Sequence, residues 1–71
     1  MKRRCVYLAE IDTGHGDWDV IGVFSSLEKA MNAFDKTPGY VWKKTSQTLW
    51  NYGNKNHPEF GNECVTKHEV E

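Results

Sequence analysis

Cysteine and histidine side chains are the residues of this sequence that could hold a metal ion. The chain has two cysteines, Cys5 and Cys64, and three histidines, His15, His57 and His68. Structural zinc sites usually contain closely spaced ligand pairs such as Cys-x-x-Cys, which do not occur here. Cys64 and His68 lie in a segment with the pattern of a strand, which separates them by roughly 13 Å at about 3.3 Å per residue. The sequence therefore predicts no metal site.

Catalytic motifs are missing as well. A nucleophilic cysteine needs a neighbouring histidine and an open pocket, whereas Cys5 and Cys64 lie in patterns typical of packed strands. There is no phosphate-binding glycine loop, serine elbow or paired-carboxylate motif. Asp12, Asp17 and Asp19 surround a glycine-rich stretch but lack the order of a calcium-binding EF loop, so turn formation explains them. We expect a protein that is not an enzyme and has no cofactor.

The segment from Lys36 to Pro58 is basic, with four lysines and no acidic residue. Four aromatic residues, Tyr40, Trp42, Trp50 and Tyr52, are interleaved with these lysines and share one face if the strand is continuous. Such a pattern is typical of single-stranded nucleic acid binding, in which bases stack on rings and ammonium groups meet phosphates. Alternatively, the aromatic residues belong to the core and the lysines protect a sheet edge from aggregation. If a nucleic acid is bound, the contact residues are predicted to be Lys43, Lys44, Trp50 and Tyr52.

The first third of the chain predicts a β-hairpin. Residues 4–11 alternate with a period of two, which indicates a strand. Residues 12–17 are turn formers, and residues 18–24 resume strand character. Strict alternation in the second strand would place Trp18, Val20, Gly22 and Phe24 opposite Asp19, Ile21 and Val23.

One amphipathic helix is predicted to follow this hairpin. Ser25 and Glu28 have the spacing of a capping box, in which Ser25 accepts from the Glu28 backbone N–H. Pro38 is expected to end the helix. The stripe expected to face the sheet consists of Leu27, Ala30, Met31 and Phe34.

The rest of the chain predicts further strands. Residues 40–52 form either one long strand or two short ones joined near Ser46, residues 53–62 form a loop, and residues 63–70 form a last strand. The sequence therefore predicts a single α+β domain, residues 1–71, with the order ββαββ. Its helix would pack on one face of an antiparallel sheet and leave the other face to solvent or a partner.

Length and composition restrict the function further. A chain of 71 residues buries only roughly 60% of the surface of its unfolded form, which disfavours a deep catalytic cavity. With 9 basic and 10 acidic residues, general polyanion binding is not expected. No apolar run is long enough to span a membrane, and the N-terminus has no export signal. We therefore expect reduced cysteines and a cytoplasmic protein.

Residues 20–30, Val-Ile-Gly-Val-Phe-Ser-Ser-Leu-Glu-Lys-Ala, resemble a pattern in small uncharacterised phage and bacterial domains. In these domains a strand ending in Gly-Val-Phe-Ser-Ser leads into a helix that begins with Glu-Lys-Ala. The resemblance covers the first half of the chain and implies a compact α+β domain of phage origin. It implies no site residue.

The function predicted from these features is binding without catalysis. Because the hairpin is apolar on both faces and one helix covers one face, some apolar residues should remain accessible. The accessible set is either Val6, Leu8, Ile21 and Val23 or Tyr7, Ile11, Trp18 and Val20. We expect an intracellular, phage-encoded protein that binds and modulates a host protein or complex, with inhibition of a defence system as one form and a homodimer as another. The alternative is a single-stranded nucleic acid module using residues 36–58. Partner contacts are predicted at Trp18, Lys43, Lys44, Trp50 and Tyr52.

Overall fold

The computed structural model describes residues 4–14 and 16–70, which form one antiparallel sheet of five strands with one short α-helix. The mixed α+β class, mostly β, is as predicted. The order is ββαβββ rather than ββαββ, because residues 40–54 fold into a hairpin that turns at Gln47 and Thr48. The elements are β1 (Arg4–Asp12), β2 (Trp18–Phe24), α1 (Leu27–Met31), β3 (Tyr40–Ser46), β4 (Leu49–Asn54), a 3-10 turn (Pro58–Phe60) and β5 (Glu63–Val70).

The strands lie in the order β2-β1-β5-β4-β3. The first and last strands, β1 and β5, pair at the centre from Arg4 with Val70 to Ile11 with Glu63. The predicted hairpin of β1 and β2 is confirmed, and β3 and β4 form the second hairpin. The segment containing α1 crosses from one edge of the sheet to the other, so β2 and β3 are the edge strands.

A β-bulge interrupts the alternation of β2. Ala9 pairs with Gly22 while the next residue, Glu10, pairs with Val20, so Ile21 has no partner in β1. The extra residue shifts the faces by one position, as bulges do. The predicted alternation is therefore wrong from Gly22 onward. Val23 lies on the same face as Trp18 and Val20, and Gly22 and Phe24 lie on the other face.

The helix begins and ends at residues other than those predicted. Ser26, not Ser25, is the N-cap, and its hydroxyl accepts from the Lys29 backbone N–H at 3.2 Å. Ser26 has the extended backbone that an N-cap requires. The helix ends at Met31, well before Pro38. The residues that follow form tighter hydrogen bonds of the 3-10 type, such as that from the Phe34 N–H to the Met31 carbonyl.

The core lies between α1 and one face of the sheet. Ala9 and Val65 from the central strands meet Ala30 of the helix and Phe34 beyond it, and all four are buried. The predicted helical stripe is confirmed, since Leu27 and Met31 pack against this cluster. The other partly buried members are Tyr7, Phe24, Trp42 and Trp50.

The segment predicted as a loop, residues 53–62, is more ordered than expected. Strand β4 continues to Asn54, and the Pro58–Phe60 turn packs on β3 and β4 with Pro58 buried. Gly53 and Gly61 permit this close packing, because a Cβ on Gly53 would lie 2.8 Å from the Gly61 Cα. Any side chain at either position would force the turn away from the sheet.

The two cysteines are free. Cys5 pairs with Glu69 and Cys64 with Glu10 in the β1–β5 ladder, so five residues of strand separate them, or roughly 16 Å. They also have opposite parity on the two strands and lie on opposite faces. A disulfide, which needs Cα atoms within about 7 Å, cannot join them in this fold.

Asp12 and Asp17 form hydrogen bonds within the first turn, as expected from the sequence. The Asp12 carboxylate accepts from the Gly14 backbone N–H at 2.8 Å, and the Thr13 N–H donates to the Asp17 carbonyl at 3.1 Å. His15 lies outside the described residues. Within residues 4–14 and 16–70, no cluster of His, Cys, Asp or Glu is placed to hold a metal ion. No helix of this part of the chain has the length and apolar character needed to cross a membrane.

Candidate protein-binding surface

Strand β2 presents four large apolar side chains to solvent, and we call them the β2 surface. Val23 is 61% exposed, Val20 51%, Ile21 49% and Trp18 45%. Scattered apolar residues on a surface are ordinary, but these four lie within six consecutive positions of one strand. The surface is thus a continuous apolar ridge.

The bulge places Trp18, Val20 and Val23 on the face away from the helix. Trp18, Val20 and Val23 are in register with Asp12, Glu10 and Leu8 of β1. Those β1 residues alternate with Tyr7 and Ala9, which face the helix, so the ridge lies on the open face. In a strand with regular alternation and no bulge, Val20 and Val23 would lie on opposite faces, because they are three positions apart.

The ridge continues inward across the open face. Leu8, beside Val23, is half-buried and is also in register with Thr66 of β5, which is in turn in register with Leu49 of β4. Of the two accessible sets predicted from the hairpin, members of both are exposed, since Ile21 and Val23 belong to one and Trp18 and Val20 to the other. The bulge mixes the two sets.

The two edges of the sheet differ in character. The outer edge of β2 is paired to no strand of the described residues, and its only charged residue is Asp19. The opposite edge, β3, carries Lys43 and Lys44, the type of residue that protects edges from unwanted strand pairing. Only the β2 edge is therefore both apolar and unprotected by a positive charge.

Lys43 and Lys44 point to opposite faces of β3. Lys43 faces the 3-10 turn, where its Nζ lies 3.7 Å from Oε2 of Glu59. The Nζ of Lys44 lies 5.4 Å from the centroid of the Trp50 ring on the helix face. The pKa of Glu59 is lowered, first by its own backbone N–H and to a lesser extent by Lys43 and His57. The two lysines predicted as a phosphate-binding pair do not form one site.

The aromatic residues of β3 and β4 share the helix face. Trp42 and Tyr52 are in register and stack with ring centroids 4.7 Å apart. Phe34 packs on Trp42 at 5.8 Å, and Trp50 packs on Tyr7 at 6.1 Å. Tyr52 is only 7% exposed. These aromatic residues therefore pack with the core on the helix face of the sheet, although Trp50 is only half-buried.

Cys64 is held in an environment that suppresses its reactivity. It is buried on the open face, and its Sγ donates to Oε2 of Glu10 over 3.8 Å. Burial, then the charge and hydrogen bond of Glu10, raise the pKa of the Cys64 thiol to about 12. A thiol of this kind is neutral at physiological pH and is a poor nucleophile.

Of the β2 surface, only Trp18 is among the predicted partner contacts, although Val20, Ile21 and Val23 are among the residues expected to be accessible. The signal for Val20, Ile21 and Val23 was present, because β2 has large apolar residues at both parities and one helix cannot cover both faces. The bulge that brings them together has one sequence sign, the isolated Gly22 beside Ile21, since a glycine inside a strand often marks a bulge.

Comparisons of the chain with protein-family models, curated proteins and solved structures found no match. The resemblance of residues 20–30 to phage and bacterial domains stays a prediction. What the protein does must be inferred from the β2 surface and from the charges around it.

Proposed function

We propose that this chain is a non-catalytic protein-binding module that contacts its partner through the β2 surface. The observation that supports this most strongly is the ridge of Trp18, Val20, Ile21 and Val23 on an edge strand that no other described strand covers. Exposed apolar patches on small proteins commonly mark interaction sites. Tryptophan is also among the residues that contribute most to binding energy in interfaces.

The surroundings of the ridge suit an interface. Protein interfaces usually combine an apolar centre with a polar rim. Val20 and Val23 form the centre here, and Asp17 and Asp19, both exposed, lie at the Trp18 end. Neither aspartate forms an ion pair with another described residue.

The finer form of the proposal is that the partner is a host protein and that binding modulates it in the cytoplasm. Its support is the resemblance of residues 20–30 to phage domains together with the state of the cysteines. Two free thiols that cannot reach each other suit a reducing compartment.

Binding of a single-stranded nucleic acid by residues 36–58 is a second, weaker proposal. It is favoured by the exposed side chains of Lys43 and Lys44 on an edge strand. It is disfavoured by the contacts of each lysine, since Lys43 is beside Glu59 and Lys44 covers Trp50.

The proposed function is tested by capture of partners on the tagged protein from lysate of the cells that make it. Capture is compared between the native chain and a variant carrying Val20→Lys and Val23→Lys. Both side chains are about half exposed or more, so the variant should fold normally. We expect one protein, recovered in stoichiometric amount and identified by mass spectrometry, to be lost with the variant.

Val41→Lys is the control, because it makes one Val→Lys change at a 42% exposed valine on the opposite edge. It is compared with Val20→Lys and Val23→Lys made singly as well as together. Recovery should be unchanged with this control. The proposal is wrong if no protein depends on Val20 and Val23, or if recovery requires nucleic acid and is abolished by nuclease. Light scattering of the purified protein shows in parallel whether the partner is a second copy.

A further inference from the structure

The outer edge of β2 offers backbone groups as well as side chains. In an antiparallel pair, alternate residues direct their N–H and C=O groups toward the partner strand and the others direct them away. Since β1 occupies one side of β2, about half of the β2 backbone groups point outward. Such an edge is a template for an added strand.

The segment that contains β1 and β2 is acidic. From Cys5 to Glu28 the chain has five acidic residues and no lysine or arginine. Beside the exposed Trp18, Asp12 of β1 lies in register on the same face, whereas Asp19 lies on the opposite face in register with Ile11. An added strand would therefore meet carboxylates on both faces at this end of β2. Lysine and especially arginine suit this combination, because they pair with carboxylates and stack on indole rings.

We infer that β2 binds an extended basic segment of another protein as a sixth strand of the sheet. Its β-branched or aromatic side chains would pack on Val20 and Val23, and a lysine or arginine would lie over the Trp18 end. This inference depends on the proposed function, and it specifies how the partner is bound and what its segment contains.

A second copy of the chain is the competing occupant, since its β3 strand is basic and free at its outer edge. However, addition of β3 to β2 is a head-to-tail contact. Such contacts generate open-ended filaments unless the rotation closes a ring. A basic strand from a different protein would pair with the same carboxylates of the protein. Because it would not offer a further β2 edge, no filament would form.

The test uses synthetic nine-residue peptides titrated into the full-length protein and followed by NMR. A basic peptide alternates valine and threonine and carries three lysines, and an acidic peptide replaces those lysines with glutamates. Two further basic peptides are N-methylated at every second residue, one at odd and one at even positions. N-methylation removes backbone donors but leaves the side chains in place.

We expect the basic peptide to bind about tenfold more tightly than the acidic one, as two or three surface ion pairs would cause. Its chemical-shift changes should be largest in residues 18–24. One methylated peptide should bind about tenfold more weakly or worse because it loses several backbone hydrogen bonds, whereas the other should bind as the parent does. Asp12→Asn with Asp19→Asn should remove the preference for the basic peptide, and Val41→Lys should not. The asparagine oxygen at position 12 can still accept the Gly14 N–H.

The inference is overturned if no peptide binds, if the acidic peptide binds equally well, or if both methylated peptides bind as tightly as the parent. It is also overturned if the protein itself grows in mass with concentration and this growth is lost in a Lys43→Glu, Lys44→Glu variant. The proposed function would survive these results as side-chain docking on the ridge. It fails separately, when capture shows no protein that depends on Val20 and Val23.

Discussion

The hydroxyl of Tyr52 in β4 accepts a hydrogen bond from the backbone N–H of Thr37 at 2.9 Å. Thr37 lies in the segment that leaves α1 and crosses the sheet toward β3. The Tyr52 ring stacks on Trp42 with centroids 4.7 Å apart and meets Tyr40 edge-on at 5.5 Å. This bond therefore ties the crossing segment to the sheet.

Removal of that hydroxyl should destabilise the fold measurably. Tyr52→Phe keeps the ring contacts and loses one hydrogen bond, which should cost about 0.5–1.5 kcal/mol of unfolding free energy. Tyr40→Phe is the matched control, because Tyr40 is more exposed. Urea denaturation of both variants measures the difference. Equal stability of the two variants would show that the Thr37 contact contributes nothing.

Glu63 should make the stability depend on pH. Burial, and secondarily the charge of Asp35, raise the pKa of Glu63 above its ordinary value of 4.5. The folded state therefore holds this proton more strongly than the unfolded state, and stability falls as pH rises through the interval above that value. Glu63→Gln should raise the melting temperature at neutral pH and leave it nearly unchanged at about pH 4.

Glu59→Gln serves as the control for this pH dependence. The pKa of Glu59 is shifted in the opposite direction, downward, and the residue is at the surface. Its substitution should lower or leave unchanged the melting temperature at neutral pH. A Glu63→Gln variant that is less stable than the native protein at neutral pH would contradict the assigned direction.

The cysteines should differ in reactivity. Cys5 is half-buried, whereas Cys64 is buried and burial raises the pKa of its thiol to about 12. Alkylation of the native protein near neutral pH should therefore modify Cys5 first, and unfolding should make both residues reactive. Mass spectrometry counts the added groups. Absence of alkylation even after unfolding would establish a disulfide and show that the chain folds differently.

The protein should not bind single-stranded nucleic acid through Lys43 and Lys44. A platform that neutralises about three phosphates would show a logarithmic salt slope near −2, at roughly 0.7 per phosphate. We expect no such binding, since Lys43 and Lys44 lie on opposite faces. Fluorescence anisotropy with a labelled oligonucleotide compares the native chain with a Lys43→Glu, Lys44→Glu variant. Micromolar, salt-sensitive binding that is lost in the variant would make nucleic acid the leading function.

Local patterns predicted the elements of this fold better than their arrangement. The alternation in residues 4–11 and the stripe from Leu27 to Phe34 depend on neighbouring residues, and both were predicted correctly. The position of β5 between β1 and β4 depends on pairing across the whole chain, for which no local pattern exists. The N-cap was wrong by one residue because Ser25 and Ser26 are chemically equivalent acceptors.

The candidate site was less predictable for a related reason. The exposure of Val20 and Val23 on one face depends on the bulge at Ile21. Gly22 beside it is a sign of a bulge, but a glycine alone does not fix which residue of the strand is left without a partner. Trp50 and Tyr52 were predicted as nucleic acid contacts from their alternation with lysines. The same alternation also fits a core, and only the position of Phe34 and Thr37 places Tyr52 inside it.

The central claim is that residues 18–24 are the interface, and amide hydrogen exchange tests it most directly. Exchange is measured for the protein alone and in complex with the captured partner. We predict the largest slowing of exchange in residues 18–24, because an edge strand exchanges readily until it is covered. Unchanged exchange in residues 18–24 with protection of residues 40–46 or 57–61 would contradict the claim and place the interface on the opposite edge.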